Sequence, residues 1–160
     1  MATFQQTGLR WLWISFIIIL IDQVTKYLVT HFIALYEIIP LTSFFNLTFA
    51  TNKGAAFSFL SKSGNLGFWL LSFFAAAITL ILTIWLYRLP SYKTLPCVGI
   101  SLIIGGAIGN LIDRFVHGHV IDFLDFYLGS WHWPAFNVAD SAITIGAFLL
   151  VIDFFKKSED

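Results

Sequence analysis

Asp122 and Asp140 are carboxylates in a chain that carries little charge. Asp122 stands in Val120-Ile121-Asp122-Phe123 and Asp140 in Asn137-Val138-Ala139-Asp140, in a sequence that is 58% hydrophobic and 11% charged. An ionised group near hydrocarbon costs roughly 2.5–3.5 kcal/mol at a helix centre, so acids kept there point to use. Two chemistries suit such a pair. Neighbouring carboxylates can share a proton and act as general acid and base, and intramembrane acids can also relay protons. Asp125 lies three residues beyond Asp122 and competes with it on spacing alone.

Other polar residues each carry a structural reading beside a functional one. Asn137 followed by Asp140 has the spacing of a helix N-cap with an acid at N3. Asp113-Arg114 reads as a local ion pair, with Arg114 also favourable at a helix C-terminus. Asp22 and Lys26 are spaced i,i+4 and can neutralise each other. Asn52 and Gly54 mark a turn or a substrate-gripping loop, and Gly105 with Gly109 fits small-xxx-small helix packing. His117, His119, Asp122 and nearby His132 raise a zinc site, but their spacing matches no well-specified pattern, so no metal is expected. Cys97 is the single cysteine, which excludes an internal disulfide and fits a buried packing thiol. No phosphate-binding glycine loop and no nucleophile-elbow serine is present, and no cofactor is expected.

The elements that must hold these groups are membrane spans. Mean hydropathy is +0.83 over 160 residues, and runs of about 20 apolar residues cross a bilayer. Four stand out, at about Trp11–Val29, Phe68–Tyr87, Leu95–Phe115 and Val138–Phe155. Arg10 before the first run imitates a secretory signal, but Asp22-Gln23-Val24-Thr25-Lys26 follows instead of a small-residue cleavage site, so the run is read as a retained span. Nine basic residues balance nine acidic ones, and no basic patch argues for nucleic acid. Arg10, Arg88, Lys93, Lys156 and Lys157 fall on the side of the termini, and the opposite loops hold only Lys53 and Lys62. By the positive-inside rule both termini are cytoplasmic. All six tryptophans (11, 13, 69, 85, 131 and 133) lie near span ends, as in an interfacial aromatic belt.

The expected architecture is an all-α polytopic membrane protein forming one domain over residues 1–160. Its long outer connections cover about 31–67 and 116–136. Phe44-Phe45-Asn46-Leu47-Thr48-Phe49 in the first predicts strands and turns, a small β-rich outer element, and the second is a loop with Gly118, Gly129 and Pro134. Arg88 to Thr94 reads as a plain inner turn. In this topology Asp22 lies roughly 16 Å along the first span. Asn110, Asp113 and Arg114 end the third, and Asn137 and Asp140 begin the fourth. The unusual polar groups therefore gather at one depth, the outer interface.

Five stretches in order carry a family resemblance. They are Asp22-Gln23-Val24-Thr25-Lys26, Asn52-Lys53-Gly54-Ala55-Ala56-Phe57-Ser58, Gly105-Gly106-Ala107-Ile108-Gly109-Asn110-Leu111-Ile112-Asp113-Arg114, Val120-Ile121-Asp122-Phe123 and Phe136-Asn137-Val138-Ala139-Asp140. Together they resemble the bacterial lipoprotein signal peptidases (signal peptidase II) over essentially the whole chain. The resemblance implies an intramembrane aspartic endopeptidase of the bacterial cytoplasmic membrane. Its substrates would be diacylglyceryl-modified prolipoproteins, cut just before the lipidated cysteine. It selects Asp122 over Asp125 and makes Asp122 and Asp140 the catalytic dyad. It gives Asp22, Lys26, Asn52, Gly54, Asn110, Asp113, Arg114 and Asn137 supporting or substrate-contacting roles. Membrane lipids are the expected surroundings and a monomer the expected state. Two readings from other classes stand against it. A proton-relay or transport subunit should carry its acids across the membrane, whereas these cluster at one face. An assembly protein built on Gly105 and Gly109 leaves the acids unexplained.

Overall fold

The computed structural model describes residues 6–54 and 66–157. Ala55, Ala56, Phe57 and Ser58 of the second stretch, and Lys62, lie outside the described residues. A short 3-10 turn at Gly8–Trp11 leads into α1 (Leu12–Phe32). Strands β1 (Ile38–Pro40) and β2 (Phe45–Asn52) follow, then α2 (Leu66–Arg88), α3 (Thr94–His117), β3 (Val120–Leu128), β4 (Trp131–His132) and α4 (Val138–Lys157). Four helices are long and apolar enough to cross a membrane, and their bounds exceed the expected spans by a few residues. Phe16, Phe73, Phe148 and Phe154 face outward from them, as lipid-facing side chains do.

Helix α3 is the centre of the bundle and packs against α1, α2 and α4. Small residues permit this, because lipid supplies no hydrophobic drive between helices and close backbone approach must replace it. A β-carbon on Gly105 would lie 2.9 Å from the Ser15 backbone of α1, and one on Gly106 would strike the Ala139 carbonyl oxygen of α4. The packing reading of Gly105 and Gly109 therefore holds, with an addition: a β-carbon on Gly109 would meet the Asp22 carboxylate at 2.6 Å. Toward the end that carries the Arg88–Thr94 turn, Leu86, Cys97, Ile100 and Ile104 form a buried cluster. Cys97 is a fully buried packing thiol.

The connection from Arg88 to Thr94, expected as a plain turn, does more. Gly8 donates its backbone N–H to the Leu89 carbonyl (2.7 Å), and the Trp11 indole donates to the Ser91 carbonyl (3.1 Å). The segment before α1 is thus bound to the α2–α3 turn, at the end of the bundle away from the sheet. At that other end, β1, β2, β3 and β4 form one antiparallel sheet in that order. The second outer connection, expected as a loop, supplies half of it. Its signal was the β-branched and aromatic run Val120-Ile121-Asp122-Phe123-Leu124-Asp125-Phe126-Tyr127, which fits a pleated surface. Val29 of α1 and Ile33, which caps it, pack against Ile121 and Phe123, fixing the sheet on the C-terminal end of the first span.

Candidate active site

The start of α4 is built as a reciprocal cap. Asp140 donates its backbone N–H to the Asn137 side-chain oxygen (2.9 Å), and Asn137 donates its backbone N–H to the Asp140 carboxylate (3.3 Å). Two of the otherwise unpaired groups of a helix start are satisfied at once. A third, the Ala139 N–H, is taken by Asp22 Oδ1 from α1 (2.9 Å). Both carboxylates lie where the helix dipole favours negative charge.

Strand β3 brings Asp122 to this helix start. Ala50 pairs with Asp122 and Asn52 with Val120, and the register shifts between Leu47 and Ala50. That irregularity sets Asn52 diagonally across from Asp122 on the same face, within side-chain reach. Asn52 Nδ2 donates to Asp122 Oδ2 (2.9 Å), while its oxygen accepts the Gly54 N–H (2.8 Å). Gly54 has φ +91°, a left-handed conformation that glycine adopts without steric cost. Asn52 and Gly54 are therefore both a turn and part of the site.

Two buried amides connect the acids. Asn137 Nδ2 lies 2.8 Å from Asp122 Oδ1 and 3.2 Å from Asn110 Oδ1. Asn110 Nδ2 donates to Asp140 Oδ1 (2.7 Å). Asp122 is buried at 2% exposure, and Asp140 is half-buried. Burial pushes the Asp122 carboxyl up to about 6. Hydrogen bonds from Asn52 and Asn137 and the charge of Lys26 pull the other way, while the negative charge of Asp140 adds to the rise.

Beneath the amides lies an ionic triad. Lys26 Nζ is 2.8 Å from Asp22 Oδ2 and 2.8 Å from Asp113 Oδ2. The i,i+4 reading of Asp22 and Lys26 is correct but incomplete. The local pair of Asp113 with Arg114 is not formed: Asp113 turns to Lys26, to Gln23 (3.0 Å) and to the Ile121 N–H (3.0 Å). Neighbours in a helix point about 100° apart, so Asp113 faces α1 while Arg114 does not. Arg114 donates to the Asn110 carbonyl (3.4 Å) and is attracted by Asp140, Asp113 and Asp122. With Asn110 and Asp140 it lines a cavity of about 320 Å3 whose other walls are mainly apolar, from α2, α3 and α4. A second, mostly apolar cavity of about 460 Å3 reaches Asp140 from the side of Trp133, Pro134 and Phe136.

Asp125 is committed elsewhere. It accepts from Asn46 Nδ2 (2.8 Å) and lies 2.9 Å from His132 Nδ1. Successive strand residues alternate faces, so a carboxylate three positions from Asp122 points away from it. His132 is thus separated from the imagined zinc set. Among the described residues, no group of three or more His, Cys, Asp or Glu side chains is placed to hold a metal ion. His119 is held below its ordinary value, first by burial and then by His117 and Lys53. Gln23 is the one network member to which no role was given in advance. Its amide spans Asp22, Asp113 and the Gly109 carbonyl, and its signals were its place beside Asp22 and within the first of the five stretches.

Comparisons with known proteins place the chain among close relatives. The lipoprotein signal peptidase of Photorhabdus laumondii is 50% identical over 154 residues, 96% of this chain and 92% of its own length. That of Pseudoalteromonas atlantica is 51% identical over 157 residues, 98% and 96% of the two chains. A bacterial membrane enzyme solved by the in meso method at 2.3 Å resolution superposes with a TM-score of 0.82 at 30% identity, covering 93% of this chain and 89% of that one. None of these supports the transport reading. Residues 14–156 match the family described as signal peptidase (SPase) II, and with relatives this similar along nearly the whole chain, the protein belongs to the signal peptidase II family, as a multi-pass peptidase of the bacterial inner membrane.

Proposed function

We propose that this signal peptidase is an aspartic endopeptidase whose dyad is Asp122 and Asp140. It removes signal peptides from prolipoproteins. In this reading the substrate cysteine bears a diacylglyceryl group, and the cut falls just before it. The observation that supports the reading best is the pair of amides, Asn137 and Asn110, that joins a buried Asp122 to a helix-capping Asp140. Two such acids share a proton and titrate as a pair. Burial favours the protonated form at Asp122, which makes it the acid in this reading and leaves Asp140 as the base. The anion takes a proton from water as the water attacks the scissile carbonyl, and the acid supports the developing oxygen and then the leaving amine. Both termini are cytoplasmic in this proposal, and the dyad sits at the outer face, where a signal helix leaves the bilayer. Arg114 and the two cavities beside Asp140 receive the substrate, whose lipid tails stay in the membrane, and the enzyme works as a monomer.

Purified protein supplied with a diacylglyceryl-modified prolipoprotein tests this. Asp122→Asn and Asp140→Asn should each lower signal-peptide release by about 100-fold or more, and a chelator should not. Full activity in either variant would overturn the dyad, and loss with chelator would point to a metal.

A further inference from the structure

Lys26 has a position that neutralising Asp22 does not explain. Its three ammonium hydrogens have three acceptors: Asp22 Oδ2, Asp113 Oδ2 and Asn110 Oδ1, the last at 3.2 Å. All three partners connect to the dyad. Asp113 holds the peptide N–H of Ile121, the residue before Asp122. Asp22 holds the peptide N–H of Ala139, the residue before Asp140. Asn110 donates to Asp140 itself. An ion pair serving only to join α1 to α3 would have no need to reach these two peptide groups, which lie on β3 and α4, elements also joined by the amides above and by the backbone bonds of Phe136 to Phe123 and Leu124.

We propose that Lys26 is a positioning residue that sets the separation and relative orientation of Asp122 and Asp140, by holding two carboxylates that each anchor the peptide unit preceding one of them. This inference rests on the dyad reading. Lys26, Asp22 and Asp113 are 2%, 0% and 1% exposed, so Lys26 acts through these groups and has no surface for substrate. Its burial also keeps it unscreened by water and salt, and its charge favours ionised Asp122. Besides Lys26, the charged groups that act on Asp122 are Asp140 and, by attraction, Arg114.

Lys26→Met keeps the length of the side chain and removes its charge and donors. The expected result is a fall in kcat of about 100-fold, the scale set by displacing reacting groups by about 1 Å. KM for the lipidated substrate should stay within about threefold, because no substrate contact is lost. The acid limb of the kcat profile should move to higher pH, because the ionised dyad loses a cation. Thermal unfolding in detergent reports the folded fraction, so that kcat refers to folded enzyme. If Lys26→Met does not fold, Asp113→Asn decides. It keeps an oxygen for the Ile121 N–H and weakens the tie to Lys26 while removing a negative charge, so a kcat loss of about tenfold or more at unchanged KM, with the acid limb moved to lower pH, supports the proposal. A variant that folds and keeps kcat within twofold with an unmoved acid limb overturns it, as does a loss confined to KM. Activity retained in Asp122→Asn would instead overturn the dyad itself, so the two failures are distinguishable.

Discussion

In the proposed dyad, Asp122 is the residue at which stability and activity oppose each other. Its folded value of about 6 lies above the ordinary 3.8, so folding takes up a proton between those values. Its contribution to stability is full below pH 3.8 and is lost as pH rises through about 6. The difference corresponds to about 3 kcal/mol. Asp122→Asn should therefore be inactive yet more stable than the parent at pH 8, by up to about 3 kcal/mol. The gap should close by about pH 3, where the carboxyl is protonated both folded and unfolded. Thermal unfolding in detergent at the two pH values measures this. A parent more stable than the variant at pH 8 would show that hydrogen bonds from Asn52 and Asn137 outweigh the burial. Asn137 has two separable duties, cap and bridge. Asn137→Ser should keep a cap acceptor and so be about 1 kcal/mol more stable than Asn137→Ala, while both lose activity for want of the amide bridge to Asp122. Unfolding midpoints and cleavage rates of the two variants report these duties separately.

Helix starts and strand register position the chemistry. The first turn of α4 is held by its own cap and by Asp22 from α1, and its approach to α3 depends on the missing side chain of Gly106. Gly106→Ala should push the turn carrying Ala139 and Asp140 away from α3. Overpacking of this kind costs typically 1–3 kcal/mol, and the displacement should lower cleavage by more than the loss of folded protein accounts for. Cleavage rate per folded molecule checks this, and an unchanged rate would mean that α4 accommodates the methyl without moving Asp140. The β3 strand has an equally specific register. A slip by one residue would turn Asp122 to the face now used by Asp125, which is why Asn52 and the Leu47–Ala50 irregularity belong to the site.

The whole molecule has two unlike ends. One carries the sheet and the polar network, and the other carries the α2–α3 turn bound to the segment before α1. The proposed orientation makes the first end extracytoplasmic. Tyr92 on the inner turn and Leu128 at the end of β3 are both highly exposed, and the native Cys97 is buried. With an impermeant thiol reagent on intact spheroplasts, Leu128→Cys should be labelled, and Tyr92→Cys only after the membrane is opened. The reverse pattern would invert the topology and separate the dyad from the face at which signal helices end.

Much of this was legible in the chain, because it depends on local and additive properties. Four apolar runs identify four spans, since length and hydropathy alone decide whether a helix crosses a bilayer. Asn137 and Asp140 announce a cap because its partners are three residues apart. The depth of the polar groups follows from counting along the spans. Partner choice between distant residues was not legible. Asp113 sits beside Arg114 in sequence yet bonds Lys26, Gln23 and the Ile121 N–H, because helix geometry turns it toward α1. Asp125 and Asp122 look equivalent until strand pairing places them on opposite faces. The second outer connection read as a loop, because β3 is held by a distant partner, β2, and β4 is a two-residue strand paired only to β3. By itself the sequence determined the spans, their order and the one end of the bundle at which the acids gather. Only the tertiary structure decided which acid meets which amide, since a hydrogen bond between residues far apart in the chain depends on the packing of the helices and sheet that bring them together.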